Sequence, residues 1–255
     1  MPSAAVPSAR GPSTRGPSDP GSPARVPAAV RGYLVHAYTA SGVGCGWLAL
    51  VAAFDGDARA SLLWLVAATL IDATDGALAR LADVTHTAPA IDGARLDDIV
   101  DYVTYVVVPG VLVWRLGLLP PGPAPWIIAA TFLASALGFA RRDAKTDDHL
   151  FTGFPSYWNI VAVYLIALLP PPWVSAAILL ALAVLVFVPI RYLYPSRTVF
   201  LRPLTLGLGA IWTVAFVAII TQLPTPSAAL VWGSLAYPAY YLALSLWLTV
   251  RRVSA

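Results

Sequence analysis

Residues 71–105 read IDATDGALARLADVTHTAPAIDGARLDDIVDYVTY, and they hold seven of the 13 acidic residues in the chain, all aspartates. Asp72 and Asp75 are three apart and share one helix face. Asp97 and Asp101 are four apart and share another, with Gly93 one further turn along it. Four carboxylates packed together cannot all stay ionised without cations. Hard oxygen donors suit Mg²⁺, Mn²⁺ or Ca²⁺. Four aspartates neutralise two divalent ions, and such a pair can clamp a diphosphate and steady both its attacking and its leaving oxygen. Gly76, Ala79 and Gly93 are small and let helices and a nucleotide approach closely. Arg80 adds a fixed positive fork suited to phosphate. Solvated aspartates at helix ends are the plainer reading. It suits Asp83, Asp92 and Asp98 taken singly, Asp98 as a partner of a helix dipole, but not four carboxylates at matched helical spacing.

The elements that carry these groups must be membrane helices. The chain has 255 residues, 58% hydrophobic and only 11% charged, where a soluble domain carries roughly a quarter charged residues. The apolar residues come in long runs rather than alternating, which excludes a soluble globular protein and a membrane barrel and leaves a polytopic all-α bundle. Eight candidate spans lie at about 33–54, 61–81, 98–118, 124–140, 155–171, 173–190, 203–223 and 227–249. Proline clusters at Pro120–Pro123, Pro170–Pro172 and Pro224–Pro226 punctuate the turns. Residues 1 to about 28 are rich in Pro, Ser, Gly and Arg and are expected to form a disordered cytoplasmic tail, with residues 29–255 forming the membrane domain. The late first apolar run is too long for a signal peptide.

With the N-terminus inside, the inner segments hold all the Lys and Arg except Arg59 and Arg115, so both termini are expected in the cytoplasm. The acidic segment then faces the cytoplasm, at the inner end of the second span and the start of the third. Ionisable groups at that depth are functional by default. The single cysteine, Cys45, excludes an internal disulfide and a cysteine-based zinc site. His36, His86 and His149 match no zinc spacing. A net charge of +3 gives no sign of nucleic-acid binding.

The pattern Asp72-x2-Asp75-Gly76-x2-Ala79-Arg80 … Gly93-x3-Asp97-x3-Asp101 resembles the signature of the CDP-alcohol phosphatidyltransferase family. Twelve residues separate Arg80 from Gly93, a longer inner loop than in many members, and in this the chain is similar to the branch of bacterial phosphatidylcholine synthases. VHAYTASG (35–42), LDDIVDYVTYVVVP (96–109), KTDDHLFTGFPSYWN (145–159) and PIRYLYPSRTVFLRPLTLGLGAIW (189–212) extend the likeness. The tail and outer loops are not covered.

The resemblance implies an integral membrane enzyme of the bacterial inner membrane, facing the cytoplasm, that joins CDP-diacylglycerol to choline and releases CMP. It implies two divalent ions, manganese or magnesium, held by Asp72, Asp75, Asp97 and Asp101, with Asp101 also the general base. Gly76, Ala79, Arg80 and Gly93 would line the CDP site beside Asp72 and Asp97. Homodimers are common in the family.

Choline itself carries a quaternary ammonium that donates no hydrogen bond, so aromatic faces must hold it. Tyr102, Tyr105, Tyr157 and Trp158 stand at the right level, although interfacial belts also use such residues. His36 and Thr39 share a face of the first span and are candidates for support, His36 equally for plain packing. Lys145 is a candidate for a lipid phosphate, within a basic cluster with Arg141 and Arg142. Asn159 is a candidate for a hydrogen bond across helices. Two other readings stay open: the same chemistry on serine, inositol or glycerol phosphate, and a divalent-cation transporter. A transport path calls for polar groups near the midplane and outer side, where this chain is nearly uncharged.

Overall fold

Long runs of helix-compatible apolar residues bounded by Pro and Gly fix the element list. The structure, a computed structural model, describes residues 26–141, 150–193 and 201–251. The tail up to residue 25, Arg142 and Lys145 therefore lie outside the described residues. Helices α1 (Ala28–Phe54) and α2 (Ala58–Ala82) form a long hairpin, followed by one turn, α3 (Val84–Thr87). A composite rod comes next: α4 (Gly93–Asp101), a π-helical segment (Tyr102–Val107) and α5 (Val108–Arg115). Then come α6 (Ala124–Phe139), α7 (Trp158–Leu168), α8 (Pro172–Leu185) and α9 (Arg202–Thr221). The last rod is α10 (Ala228–Ser234) and α11 (Ala236–Arg251). Among the described residues, four stretches are long and apolar enough to cross a membrane: Ala28–Phe54, Ala58–Ala82, Arg202–Thr221 and Ala228–Val250. The helical membrane bundle expected from composition is what the chain forms.

Prolines explain the irregularities in two rods. Pro109 has no N–H for the carbonyl of Tyr105 and its ring crowds that carbonyl. The rod widens just before it, and Val108 N–H bonds back to Val103 across five residues. Pro238 would crowd Ser234 in the same way, and the last rod breaks there, between Ser234 and Ala236. Neither break was expected from the hydropathy pattern. Nor was the small antiparallel sheet of β1 (Leu150–Thr152) and β2 (Arg191–Leu193), paired Leu150 to Leu193 and Thr152 to Arg191. It closes the α7–α8 hairpin at its open end, and Phe154 N–H donates to Leu185 at the last turn of α8.

Side chains sort as lipid demands. Trp126 and Val214, 78% and 72% exposed, face outward, while Thr131 and Ser135 are buried. Because lipid tails are as apolar as the helices, close backbone packing holds such bundles together. Helix α1 supplies it with a buried stripe of small residues, Gly32, Thr39, Gly42, Gly46 and Ala49, and packs on both α2 and the composite rod. A Cβ at Gly42 would stand 2.6 Å from Val100 Cγ1. At the end away from the acids, Arg115 donates to the carbonyl of Phe54 at 2.9 Å, and Arg59 donates to the carbonyl of Leu223. These bonds satisfy carbonyls that a helix end or turn leaves open.

The α1 contact makes a direct prediction. Gly42→Ala should lower stability by about 1–3 kcal/mol through overpacking, and Val100→Ala in the same chain should recover most of the loss. Thermal unfolding in detergent measures both.

Candidate active site

The carboxylates come from two elements brought together by α1. Asp72 projects from α2; Asp97 and Asp101 project from successive turns of α4. Each offers one oxygen, and the three oxygens lie within 4.8 Å of one another. Two oxygens on one hard cation can be no farther apart than twice a bond of 2.0–2.6 Å, about 4–5 Å, so the cluster has the span of a coordination sphere. Asp101 Oδ1 is shut off from solvent and has no hydrogen-bond partner among the described residues. A buried carboxylate oxygen left so is costly, and a cation is the group that would satisfy it. The donor set therefore fits a divalent ion. Asp75, one turn beyond Asp72, is buried at 7% exposure but stands outside this group of three.

The π-helical segment sets what lies beside the acids. Tyr105, four residues after Asp101, donates its hydroxyl to Asp72 Oδ2 at 3.0 Å. That bond crosses from the composite rod to α2 and fixes the Asp72 carboxylate. The Tyr105 ring lies 6.4 Å from that of Tyr157, tilted by 53°. Tyr38 and Thr74 hydroxyls pair at 2.8 Å and pin α1 to α2 within one turn of both acids of α2.

Other expected groups take different places. Tyr102 donates to the carbonyl of Phe132 at 2.9 Å and meets Phe139 edge-on at 5.8 Å. Trp158 Nε1 donates to Ser135 Oγ at 2.7 Å. Tyr102 and Trp158 thus each fasten a helix to α6. Asn159 Oδ1 accepts from the adjacent Ile160 N–H at 2.9 Å, a local bond within the first turn of α7 where one across helices was expected. Arg80 is exposed and folds back, its Nη1 3.6 Å from where a Cβ would stand on Gly76. Ala79 is half-buried beside it.

His36 is 4% exposed, and a Cβ on Gly93 would meet its Cε1 at 3.2 Å. The missing side chain at Gly93 thus seats the histidine at the start of α4, one turn before Asp97. Thr39 is buried on the same face of α1. Asp92 caps α4 by accepting from Arg95 N–H at 3.2 Å. Asp83 ends α2 in the left-handed conformation at φ 51°. Its carboxylate pairs with His86 Nδ1 at 2.8 Å, which holds the Asp83 carboxyl below and His86 above their ordinary values.

No family model matches the chain. It is 37% identical to the phosphatidylcholine synthase of Pseudomonas aeruginosa over 217 residues, 85% of this chain and 91% of that one. It is 42% identical to that of Legionella bozemanae over 73% of this chain and 90% of the relative. For the Legionella pneumophila synthase the identity is 39%, over 85% and 88% of the two chains. The chain belongs to the phosphatidylcholine synthase family. In this chain the long Arg80–Gly93 loop holds the α3 turn against α1, where a Cβ on Gly32 would stand 2.5 Å from Thr87 Oγ1.

If the three oxygens are one coordination sphere, Asp72→Asn, Asp97→Asn and Asp101→Asn should each abolish tight Mn²⁺ binding. Tyr105→Phe keeps the ring but frees the Asp72 carboxylate, and should weaken Mn²⁺ by about 10- to 100-fold, as loss of a supporting hydrogen bond does at metal sites. Calorimetric titration of the detergent-solubilised protein measures both.

Proposed function

We propose that the chain transfers the phosphatidyl group of CDP-diacylglycerol to choline and releases CMP. The observation that carries the reading is the convergence of Asp72, Asp97 and Asp101, with one Asp101 oxygen unpartnered, in a member of this family. Two divalent cations, manganese or magnesium, held by these three carboxylates and Asp75, would neutralise the diphosphate and the departing CMP phosphate.

The remaining chemistry belongs to the chain. Asp101 takes the proton of the choline hydroxyl. The hydroxyl oxygen forms a bond to the phosphorus that carries the diacylglycerol, and the bond from that phosphorus to the CMP oxygen breaks. Arg80, lying over Gly76, supplies a guanidinium for phosphate oxygens, and Ala79 and Gly93 line the nucleotide site. Tyr105 orients Asp72, and the Tyr105 and Tyr157 rings offer faces to the ammonium. The acids at the inner end of their helices, together with the positive-inside bias, favour a site open to the cytoplasm of a bacterial inner membrane. The diacylglycerol tails stay in the bilayer while the head group reaches the carboxylates.

Aromatic rings set against carboxylates favour a cationic acceptor over serine, inositol or glycerol phosphate. The gathering of acids at one end of the bundle disfavours a transport path.

The test is a choline-dependent release of CMP from CDP-diacylglycerol by purified protein, with and without chelator, beside a panel of serine, inositol and glycerol phosphate. Choline should be incorporated and chelator should abolish it. Incorporation of another alcohol with none of choline, or Mn²⁺ flux into proteoliposomes without CMP release, would overturn the reading. Asp101→Asn, which removes a metal ligand and the general base together, should cut turnover by more than the about 100-fold scale of a general base alone.

A further inference from the structure

We propose that His36, on α1, binds the nucleoside half of CDP-diacylglycerol through a hydrogen bond between its imidazole and a ribose hydroxyl. The inference rests on the CDP half of the transfer reading and adds a nucleotide contact from outside the aspartate motif.

One atom of His36 has nothing to bond. The residue is 4% exposed, and its Nε2 is shut off from solvent with no hydrogen-bond partner among the described residues. An imidazole nitrogen is a donor or an acceptor according to its tautomer, and leaving one buried and unpaired is costly in either form. A group from outside the chain can offset that cost.

Place in the fold narrows the choice of group. Close contacts fix the register of α1 on its neighbours: Gly32 meets Thr87 of α3, His36 meets Gly93 and Gly42 meets Val100. His36 therefore stands at the first turn of α4. Its Cε1 and Nδ1 are 3.2 and 3.7 Å from where a Cβ would stand on Gly93. The last torsion of a histidine is roughly two-fold, and a half-turn of the ring puts Nε2 where Cε1 stands. The orphan nitrogen then lies at the edge of Gly93, which is only half-buried and can be reached by a ligand over the start of α4.

The shape of the lipid substrate points to the ribose. Its diphosphate belongs at the carboxylates, and Asp97 lies one turn beyond Gly93 on the same face of α4, a rise of about 6 Å. The diacylglycerol tails run from the diphosphate into the bilayer. The nucleoside runs the other way, toward the start of α4, and a ribose stands about one helical turn from the diphosphate.

Charge favours a hydroxyl over a phosphate at this place. Asp92, just before Gly93, keeps its carboxylate on the start of α4, where it accepts from Arg95 N–H at 3.2 Å and pairs with Arg95 Nε at 3.2 Å. An anion would meet that carboxylate. A neutral hydroxyl both donates and accepts, and so suits either form of the imidazole nitrogen.

The test titrates CMP, 2′-deoxy-CMP and 3′-deoxy-CMP, in the presence of Mn²⁺, into full-length wild type and His36→Phe in detergent, read by calorimetry. Wild type should bind CMP about 10-fold more tightly than one of the deoxy forms, the scale of one hydrogen bond. His36→Phe keeps a ring without nitrogens and should lose that preference. Its KM for CDP-diacylglycerol should rise by a similar factor, while KM for choline and the affinity for Mn²⁺ alone stay as in wild type.

Equal binding of all three nucleotides by wild type would overturn the proposal. So would an undiminished preference in folded His36→Phe, or a loss of Mn²⁺ affinity as large as the loss of CMP affinity, the mark of a packing role. Should His36→Phe fail to fold, His36→Met, flexible enough to fill the same space, takes its place with the same outcomes. Wild type that tells CMP from a deoxy form but does not use choline would overturn the choline reading and leave this inference standing; wild type that binds no CMP would overturn both.

Discussion

Three carboxylate oxygens within 4.8 Å of one another are the constraint around which this fold is arranged. Like charges that close, half-buried, repel strongly and lose part of their hydration. The chain must therefore force together groups that would otherwise part. The closeness comes from α1, whose small buried residues allow α2 and α4 to approach on either side. Gly42 against Val100 and Gly93 against His36 are contacts that leave no space for even a methyl group without displacement. Packing of this kind is the cohesive force available within lipid. It is applied along one helix whose stripe runs past the acids.

Once the carboxylates are fixed, their surroundings follow from one proline. Pro109 denies Tyr105 its usual backbone partner, and the rod relaxes into a π-helical segment immediately after Asp101. Such segments re-aim side chains and recur at functional sites. Here the re-aimed group is Tyr105, which reaches Asp72 on another helix. A strictly regular helix would have kept the spacing of Asp97, Asp101 and Tyr105 on one drifting face. The widened turn lets acid and phenol address the same point from the same rod.

Much of this was legible in the sequence, for physical reasons. Asp72, Asp97 and Asp101 stand out because acids are expensive at membrane depth and helical spacing alone tells which share a face. The bundle is legible because 58% hydrophobic residues leave a soluble chain no way to cover itself. What escaped depends on partners distant in sequence. Spacing puts Asp75 with Asp72; that Asp72 also meets the acids of α4 is a contact only the third dimension shows. Tyr102 and Trp158 had legible chemistry and level, but their bonds to Phe132 and Ser135 on α6 could not be read from spacing. Asn159 turned to its own backbone, as short polar side chains at helix starts do. Pro109 and Pro238 were visible, yet what a proline does to a rod depends on what packs there. The sheet pairs segments some forty residues apart that hydropathy reads as loop ends.

An acidic cluster beside aromatic rings also has to sort two kinds of cation. A small divalent ion gives up bound water only for oxygen ligands at short range, so it gains nothing from ring faces and is drawn to the carboxylate oxygens. A quaternary ammonium has its charge buried under methyl groups and cannot come close to those oxygens or bond with them. It gains most where rings replace water at its surface. The carboxylates therefore attract both ions electrostatically, but contact chemistry assigns each to its own place. Tyr105 stands on the boundary between them, its hydroxyl on Asp72 and its ring on Tyr157. One residue thereby couples the position of the metal-facing carboxylate to that of the aromatic wall, and holds the two at the separation that a short amino alcohol must bridge.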